Sequence, residues 1–265
     1  MAGASPAGRF AGRVALVTGA ATGIGAATAR RFAADGARVV LIGRDAGALE
    51  VVRSGVERAG GLADAVVADV RDGTGLEDVV VRTIAAHDRI DAIVSNAGIG
   101  RHGRVDEQPA DELQELLDTH VAALWHLARA AVPAMRRQGS GVIIAVTSVH
   151  AYATLPLVSA YAASKTAILG LVRGLALDHA AEGIRVNAVA PGSVDTPMLR
   201  ASARRRSPDD PDAMLRAWGE RHPIGRVIEA DEVASAIAFL CSDDASAITG
   251  TCLPVDGGLL ARLAL

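Results

Sequence analysis

The sequence predicts an α/β protein built on a doubly wound parallel sheet of about seven strands, with helices on both faces. Short runs rich in valine, isoleucine and leucine alternate with longer segments of helical periodicity, and this alternation is typical of right-handed βαβ units. A glycine-rich turn follows the first apolar run, and polar residues follow several later ones. The 265 residues are 50% hydrophobic, which is enough to bury one large core, so we expect a single domain.

Seven segments fit the strand pattern and five fit the helix pattern. Because strands and helices alternate, the carboxyl ends of the strands are expected at one edge of the sheet. The predicted strands span residues 14–18, 38–42, 62–68, 91–95, 142–147, 184–188 and 251–255. The predicted helices span residues 26–35, 76–87, 110–137, 158–181 and 231–241.

The first strand leads into a turn that reads GAATGIG, directly before the first predicted helix. A strand, a glycine turn and a helix in this order place backbone N–H groups and a helix N-terminus against a pyrophosphate. The turn therefore favours dinucleotide binding, although a glycine-rich turn of this kind can also be purely structural. Its candidate binding residues are Gly19, Thr22, Gly23, Ile24 and Gly25.

The second strand ends at Gly43, which is followed by Arg44 and Asp45. An acidic residue about twenty positions past the first glycine would hold the ribose 2′-hydroxyl of NAD, whereas an arginine suits the 2′-phosphate of NADP. Gly43 stands where the acid is expected and Arg44 comes next, so NADP(H) is the preferred cofactor. NAD(H) stays possible, because Asp45 can reach the ribose and Arg44 can be a solvated residue at a helix start.

Polar and glycine residues also follow the later strands, at the edge where ligands bind in such sheets. Each group comes directly after a predicted strand, so we expect these groups to meet the glycine turn in space. They are Asp69 and Val70, then Asn96, Ala97 and Gly98, then Ser148, and finally Pro191 and Gly192.

The helix predicted over 158–181 carries Tyr161 and Lys165, which lie one turn apart on the same helix face. Lys165 is the only lysine in a chain with 27 basic residues. A nearby cation favours phenolate, and lowering a tyrosine pKa from about 10 to near 7 requires about 4 kcal/mol. Such a tyrosine could donate and accept protons at neutral pH.

Composition excludes several classes of function. A net charge of −3 gives no electrostatic case for nucleic acid, and no run reaches the ~18 apolar residues of a membrane span. The segment from Met1 to Phe10 lacks an apolar export signal, so we expect a cytoplasmic protein. Cys241 and Cys252 have no neighbouring ligand residues and predict neither a metal site nor a disulfide framework.

From about Gly12 to Gly258 the chain resembles the classical short-chain dehydrogenases/reductases. The order of the motifs, and the interval from Ser148 to Tyr161, match the family pattern. The motifs are TGAATGIG ending at Gly25, Asp69-Val70, Asn96-Ala97-Gly98, Ser148, Tyr161-x-x-x-Lys165, Pro191-Gly192-Ser193-Val194-Asp195-Thr196 and Val255-Asp256-Gly257-Gly258.

The resemblance implies a single-domain Rossmann-type oxidoreductase with its catalytic domain over 13–258, between an N-terminal extension (1–12) and a C-terminal tail (259–265). It implies that Tyr161 is the catalytic acid and base, and that Lys165 lowers its pKa and holds the nicotinamide ribose. Ser148 would hydrogen-bond the substrate oxygen. A homotetramer or homodimer, packed through the long helices and the C-terminal segment, is also implied. Further residues implied at the cofactor are Pro191, Gly192, Val194 and Thr196.

Two positions depart from the family pattern. Ser95 replaces the first asparagine of the usual Asn-Asn-Ala-Gly, which is a mild change. His120 stands where the family has an asparagine that helps to anchor a water in a proton relay. A histidine can hold such a water through its ring nitrogens, or it can be an interior residue bonded to backbone. We therefore expect an altered relay and an unchanged reaction class.

The polar segment 196–225 follows the Pro191-Gly192 motif and is predicted to be a substrate lid. Its arginine triplet, 204–206, could bind an anionic substrate but is more often a solvated helix face. The candidate pocket residues by family position are His102, His150, Tyr152, Met198 and Trp218.

The predicted function is hydride transfer between NADP(H) and a secondary alcohol or ketone. An NAD-dependent sugar or polyol dehydrogenase is an alternative within the same class. An alternative from another class is a catalytically impaired sensor or scaffold that still binds the cofactor; only His120 favours it.

Overall fold

Seven apolar segments form a single parallel sheet in the computed structural model, which describes residues 8–262. The strands are β1 (Val14–Thr18), β2 (Arg38–Gly43), β3 (Leu62–Val67), β4 (Ala92–Ser95), β5 (Gly141–Val146), β6 (Ile184–Pro191) and β7 (Cys252–Val255). Their spatial order is β3-β2-β1-β4-β5-β6-β7. The order reverses between β1 and β4, and ligands bind beyond the strand ends at such a switch point.

Helices cover both faces of the sheet, which confirms the predicted doubly wound class. Side chains from alternate positions along the strands point into two separate cores. Helices α1, α2 and α9 pack on one face, whereas α3, α5 and α6 pack on the other. The helices are α1 (Gly23–Ala34), α2 (Ala46–Arg58), α3 (Gly73–His87), α4 (Asp111–Leu117), α5 (Ala123–Gln138), α6 (Ser159–His179), α7 (Pro197–Arg206), α8 (Pro211–Arg221) and α9 (Ala230–Cys241).

The structure differs from the sequence-based elements in three places, one of which is the predicted lid segment, where α7 and α8 form although no helix is predicted there. Helix α2 is not predicted, because only Leu49, Val52 and Val56 of its 13 residues are buried and its apolar stripe is therefore narrow. The predicted helix over 110–137 is not continuous. A π-helical turn, Asp118–Ala122, separates α4 from α5. Such π-turns often occur at functional sites, and this one contains His120.

The described part of the predicted N-terminal extension packs on the sheet domain. Phe10 is 3% exposed, and its ring meets Phe32 edge-on with centroids 5.0 Å apart. Residues 1–7 and 263–265 lie outside the described residues. Within residues 8–262, no helix is long and apolar enough to cross a membrane, and no group of three or more potential side-chain ligands is arranged for a metal ion.

Candidate active site

The glycine-rich turn between β1 and α1 is shaped to hold an anionic group. Gly19 and Gly23 have positive φ angles of 64° and 53°, a conformation that favours glycine. A Cβ on Gly19 would lie 2.9 Å from Ala97 Cα, and one on Gly23 would lie 2.9 Å from Thr196 Cγ2. Within α1, the N-cap residue Thr22 makes no side-chain cap bond and the first turn has no acidic residue. The N–H groups at this helix start are thus available to a phosphate, so the turn fits a dinucleotide pyrophosphate.

Asn96 fixes this turn from the end of the neighbouring strand. Its side-chain amide donates hydrogen bonds to the carbonyls of Thr18 at 2.9 Å and Gly19 at 3.3 Å. The Thr18 hydroxyl accepts from the backbone N–H groups of Asn96 and Ala97 at 2.9 and 3.0 Å. A Cβ on Gly25 would lie 2.5 Å from the same amide nitrogen. Asn96 therefore supports the turn, and Thr18, which is not among the predicted site residues, does so with it.

Arg44 and Asp69 lie together at the ends of β2 and β3. The Arg44 side chain is 63% exposed, and its guanidinium is 3.8 Å from the Asp69 carboxylate. Arg71 binds Asp69 more closely, at 2.6 Å, and this bond lowers the pKa of the Asp69 carboxyl. Val70 between them is buried. Since Arg71 already neutralises Asp69, the charge of Arg44 is largely available to a ligand; Arg71 is not among the predicted site residues.

Ser148, Tyr161 and Lys165 meet at the carboxyl end of β5. Lys165 is 4% exposed, its Nζ donates to the Val146 carbonyl at 3.0 Å, and it lies 5.7 Å from the centroid of the Tyr161 ring. The Thr147 hydroxyl donates to the Lys165 carbonyl at 2.7 Å, which fixes the helix turn against the strand. The Ser148 hydroxyl lies close enough to the Tyr161 phenol to lower the pKa of that phenol. A phenol, a hydroxyl and an amine are thus brought together at one strand end.

The pKa shifts of Tyr161 and Lys165 differ from the sequence-based expectation. Burial raises the pKa of Tyr161 above its ordinary value, and the bond from Ser148 opposes this shift without reversing it. Burial also lowers the pKa of Lys165 from 10.5 to about 7. Desolvation destabilises both the tyrosine phenolate and the lysine ammonium. The net shift of the Tyr161 pKa is therefore upward, whereas the sequence suggests that Lys165 lowers it.

His120 bridges the loop after β4 and helix α6. Its Nε2 accepts from the Ile99 backbone N–H at 3.1 Å, and its Nδ1 is 2.9 Å from the Ser164 hydroxyl. That hydroxyl in turn donates to the Tyr161 carbonyl at 2.7 Å. An N–H can only donate, so Nε2 is unprotonated and the proton is on Nδ1. Both ring nitrogens are therefore occupied, which favours the interior, backbone-bonded alternative over direct binding of a relay water.

The burial of His120 predicts a pH-dependent contribution to stability. Burial, and then the charge of Lys165, lowers its pKa to about 2. The unfolded chain therefore binds an extra proton below pH ~6.5, so this contribution is lost as the pH falls from 6.5 towards 2. His120→Asn should reduce the slope of unfolding free energy against pH by up to about 1.4 kcal/mol per pH unit between about pH 5 and 6.

Denaturant titrations of the wild type and His120→Asn across that range measure this slope. Equal slopes in the two proteins would show that His120 is not held neutral.

The segment after β6 joins the predicted cofactor site to the lid. The Gly192 N–H donates to the Val255 carbonyl at 3.1 Å, beside the buried Pro191. Val194 is also buried. Thr196 caps α7 through its hydroxyl, which accepts from the Leu199 N–H at 3.3 Å. The methyl of Thr196 lies against Gly23, so the first lid helix starts directly beside the glycine turn.

Two of the predicted pocket residues lie on the catalytic side of the site. The His150 ring packs edge-on against Tyr161 with centroids 5.7 Å apart. Burial, followed by the nearby His102, lowers the pKa of His150. Burial and the charges of Arg205 and Arg206 lower the pKa of His102. The two histidines and the end of α7 are therefore close enough for their charges to interact.

The other three predicted pocket residues are placed differently. Burial, followed by the nearby Cys252 of β7, raises the pKa of Tyr152 to about 12, and the residue as a whole is 53% exposed. Met198 is 46% exposed on α7. Trp218 is 9% exposed, and its carbonyl accepts a hydrogen bond from the His222 ring at 2.9 Å.

An anion-binding glycine turn and a Ser, Tyr and Lys group at one sheet edge define an NAD(P)-dependent oxidoreductase. A family model described as Enoyl-(Acyl carrier protein) reductase matches residues 19–260. The chain is 36% identical over 257 residues to levodione reductase from Leifsonia aquatica, covering 96% of both chains. It is 40% identical over 252 residues to 3beta-hydroxysteroid dehydrogenase 1 from Eggerthella lenta, covering 94% of both.

A solved structure of L-sorbose reductase from Gluconobacter frateurii, complexed with NADPH and L-sorbose, matches with a TM-score of 0.91 at 33% identity. The match covers 96% of this chain and 98% of that one. The chain belongs to the short-chain dehydrogenase/reductase family, whose members are NAD(P)-dependent oxidoreductases of alcohols and ketones. The predicted family, fold class and enzyme class are thereby confirmed.

Proposed function

We propose that the protein interconverts a secondary alcohol and a ketone with NADP(H), with Tyr161 as the acid and base. The observation that carries this proposal is the convergence of Ser148, Tyr161 and Lys165 beside the glycine turn. A bound nicotinamide supplies or accepts the hydride. The protein's own groups position the substrate oxygen, donate hydrogen bonds to it and move one proton.

In the reduction direction, the Tyr161 phenol gives its proton to the substrate oxygen as negative charge develops there. The Ser148 hydroxyl donates a second hydrogen bond to that oxygen. The Lys165 ammonium then stabilises the phenolate, and its own pKa rises above about 7 as the negative charge appears. In the oxidation direction the phenolate accepts the alcohol proton. One hydride and one proton are thus transferred to the ketone in each turnover.

The substrate is proposed to be a small or cyclic ketone of the types named in the relatives. Levodione, 3β-hydroxysteroids and L-sorbose are the first compounds to assay with NADPH or NADP⁺, since the relatives that bear these names match nearly the whole chain. Turnover of any of them, followed by nicotinamide absorbance, would support the proposal. Protein that binds NADPH tightly but turns over none of a broad ketone panel would contradict it.

NADP(H) is the proposed preference because a glycine stands where NAD-binding chains have an acid, and a positive side chain follows it. Gly43 ends β2 without a carboxylate, and the exposed Arg44 follows it. Asp45 is turned to its own helix, since its carboxylate accepts from the Ala48 N–H at 3.0 Å. Arg71 neutralises Asp69 at 2.6 Å, so a 2′-phosphate would meet net positive charge.

Arg44→Ala should weaken NADPH binding by about 10- to 100-fold and change NADH binding less than about twofold. A charge-assisted bond to the 2′-phosphate contributes about 1.5–3 kcal/mol, and NADH lacks that group. Fluorescence titration with both nucleotides measures the two affinities. Arg58→Ala, on the neighbouring helix α2, is the control and should alter neither. Equal losses for the two nucleotides would exclude Arg44 from 2′-phosphate recognition.

A homotetramer or homodimer is proposed from the outer face of α6. Leu177 is 84% exposed on this helix, and a Cβ on Gly170 or Gly174 would meet nothing within 4 Å. Ala163 and Ala167 extend the same small-residue face by helical spacing. Small side chains allow two helices to approach closely, so this face suits the same helix of a second copy.

Gly174→Glu is expected to break that assembly while leaving the monomer folded. Glutamate raises the helix propensity of the monomer by about 0.5–1 kcal/mol, but places like charges against each other across a two-fold interface. Light scattering after size exclusion should show a smaller particle than the wild type. Gly174→Ala is the control and should keep the wild-type size. A wild-type monomer at micromolar concentration, or an unchanged size for Gly174→Glu, would contradict the proposal.

A further inference from the structure

His222 links the second lid helix to the turn after β6. It follows α8 directly and is 1% exposed. Its Nε2 accepts from the Ser193 backbone N–H at 3.1 Å, and its Nδ1 is 2.9 Å from the Trp218 carbonyl. An N–H can only donate and a carbonyl can only accept, so the ring is neutral with its proton on Nδ1. The imidazole thus forms one fixed bridge between the Ser193 backbone and the Trp218 backbone.

The turn that His222 holds has room only for glycine at position 192. A Cβ on Gly192 would lie 2.6 Å from the His222 Nε2 and 3.2 Å from Asp256 Cα. The other side of the turn is fixed by Ile228, whose N–H donates to the Ser193 carbonyl at 2.8 Å. The position of the Gly192–Ser193 backbone therefore depends directly on how α8 is seated.

The bridge also reaches into α8. Trp218 is one helical turn before His222, and its large side chain is 9% exposed. Any displacement of α8 carries the Trp218 carbonyl and the His222 ring with it, and the Ser193 N–H would lose its partner. An unpartnered buried N–H is costly, so the lid helix and the turn are expected to move together.

We propose that His222 is a positioning residue that couples the seating of the α8 lid helix to the Pro191–Ser193 turn, so that this turn binds the nicotinamide half of the cofactor only when the lid is in place. The inference rests on the proposed function, in which Pro191 and Gly192 contact that half. Neither half of the bridge contacts the glycine turn, so the adenosine half should bind independently of His222.

Two variants separate the bridge from simple packing. His222→Leu fills the space but offers no hydrogen bond, whereas the amide of His222→Gln can accept from Ser193 and donate to Trp218. Calorimetry compares NADPH with 2′,5′-ADP, which carries the phosphorylated adenosine but no nicotinamide. We expect His222→Leu to weaken NADPH binding by about 10- to 100-fold and to change 2′,5′-ADP binding by less than about twofold. His222→Gln should restore most of the lost NADPH affinity.

A matched control exists at the opposite edge of the sheet. The Gln138 side chain also bridges backbone groups, because it accepts from the Ile90 N–H and donates to the Ile90 carbonyl, both at 2.9 Å. Gln138→Leu should lower stability as His222→Leu does, without changing either affinity. Equal weakening of both ligands by His222→Leu, or no weakening of NADPH, would overturn the coupling. A wild type that binds neither ligand would instead overturn the proposed function.

The wild type offers a second readout if His222→Leu does not fold. The Nδ1 proton of His222 is buried and hydrogen-bonded, so it should give a resolved imidazole N–H signal. NADPH should shift this signal and 2′,5′-ADP should leave it in place. A signal that responds equally to both ligands would contradict the proposal.

Discussion

Tyr161→Phe is expected to lower kcat by about 10³-fold or more while the Kd for NADPH stays within about twofold. The change removes the proposed acid/base, and such groups contribute about 10² to 10⁴ in rate. It also removes the hydroxyl whose pKa Ser148 lowers. The phenyl ring keeps its edge-on packing against His120 and His150, each at 5.7 Å, so the fold should persist.

The chain supplies its own control for this experiment. Tyr152 is the only other tyrosine, and it is 53% exposed. Tyr152→Phe should change kcat by less than about twofold, since its hydroxyl takes no part in the proposed proton transfer. Steady-state kinetics and NADPH titration of both variants distinguish the two tyrosines. More than a tenth of wild-type activity in Tyr161→Phe would remove Tyr161 from its proposed role.

Local pattern in the sequence was sufficient to locate the sheet. Buried parallel strands are continuous apolar runs, so all seven predicted strands overlap observed ones. The prediction for β6 stops at 188, whereas the strand continues to Pro191 because its last residues pair with β7 through Pro191 and Val255. The glycine turn and the tyrosine-lysine pair were also visible, because each depends on residues close together in sequence.

The electrostatics of the site depend on burial, which the sequence does not report. The spacing of Tyr161 and Lys165 indicates that a cation lies near a phenol. It does not reveal that both groups are so desolvated that each charged form is disfavoured. The tyrosine pKa therefore shifts upward within the protein, opposite to the sequence expectation.

Contacts between residues that are far apart in the chain are not visible in the sequence either, because they depend on the folded structure. Arg71 acts with Glu115, 44 positions away, and His222 acts on Ser193, 29 positions away. Neither residue belongs to a short motif. The π-turn at His120 is also tertiary in origin, since it lets one imidazole reach both Ile99 and Ser164.

Lys165→Met is expected to stabilise the protein and to abolish most of its activity. Holding the pKa of Lys165 at about 7 instead of 10.5 costs the folded state about 4–5 kcal/mol when the amine is charged. The Val146 carbonyl, which accepts from Nζ at 3.0 Å, loses its partner in the variant at a cost of about 1–3 kcal/mol. The net gain in unfolding free energy should be about 2 kcal/mol near pH 6.

The effect of Lys165→Met on stability should change from stabilising to destabilising as the pH rises. The folded-state pKa lies below the unfolded value, so the unfolded chain binds more protons between about pH 7 and 10.5. The stability of the wild type should therefore rise with pH across this window. The advantage of Lys165→Met should shrink over the same window, while its kcat stays about 10²- to 10⁴-fold low because the phenolate has lost its cation.

Because Lys165 is the only lysine, its pKa can be measured without overlap from other lysine signals. Reductive ¹³C-methylation should give one side-chain signal besides the terminal amine, and that signal should titrate near pH 7. Arg173→Met, an exposed basic residue on the same helix, is the control and should change neither stability nor rate by much. A methylated Lys165 that titrates near pH 10, or a Lys165→Met variant less stable than the wild type at pH 6, would contradict the argument. A gain in stability together with a loss of activity would instead show that the fold keeps a costly buried amine for its chemistry.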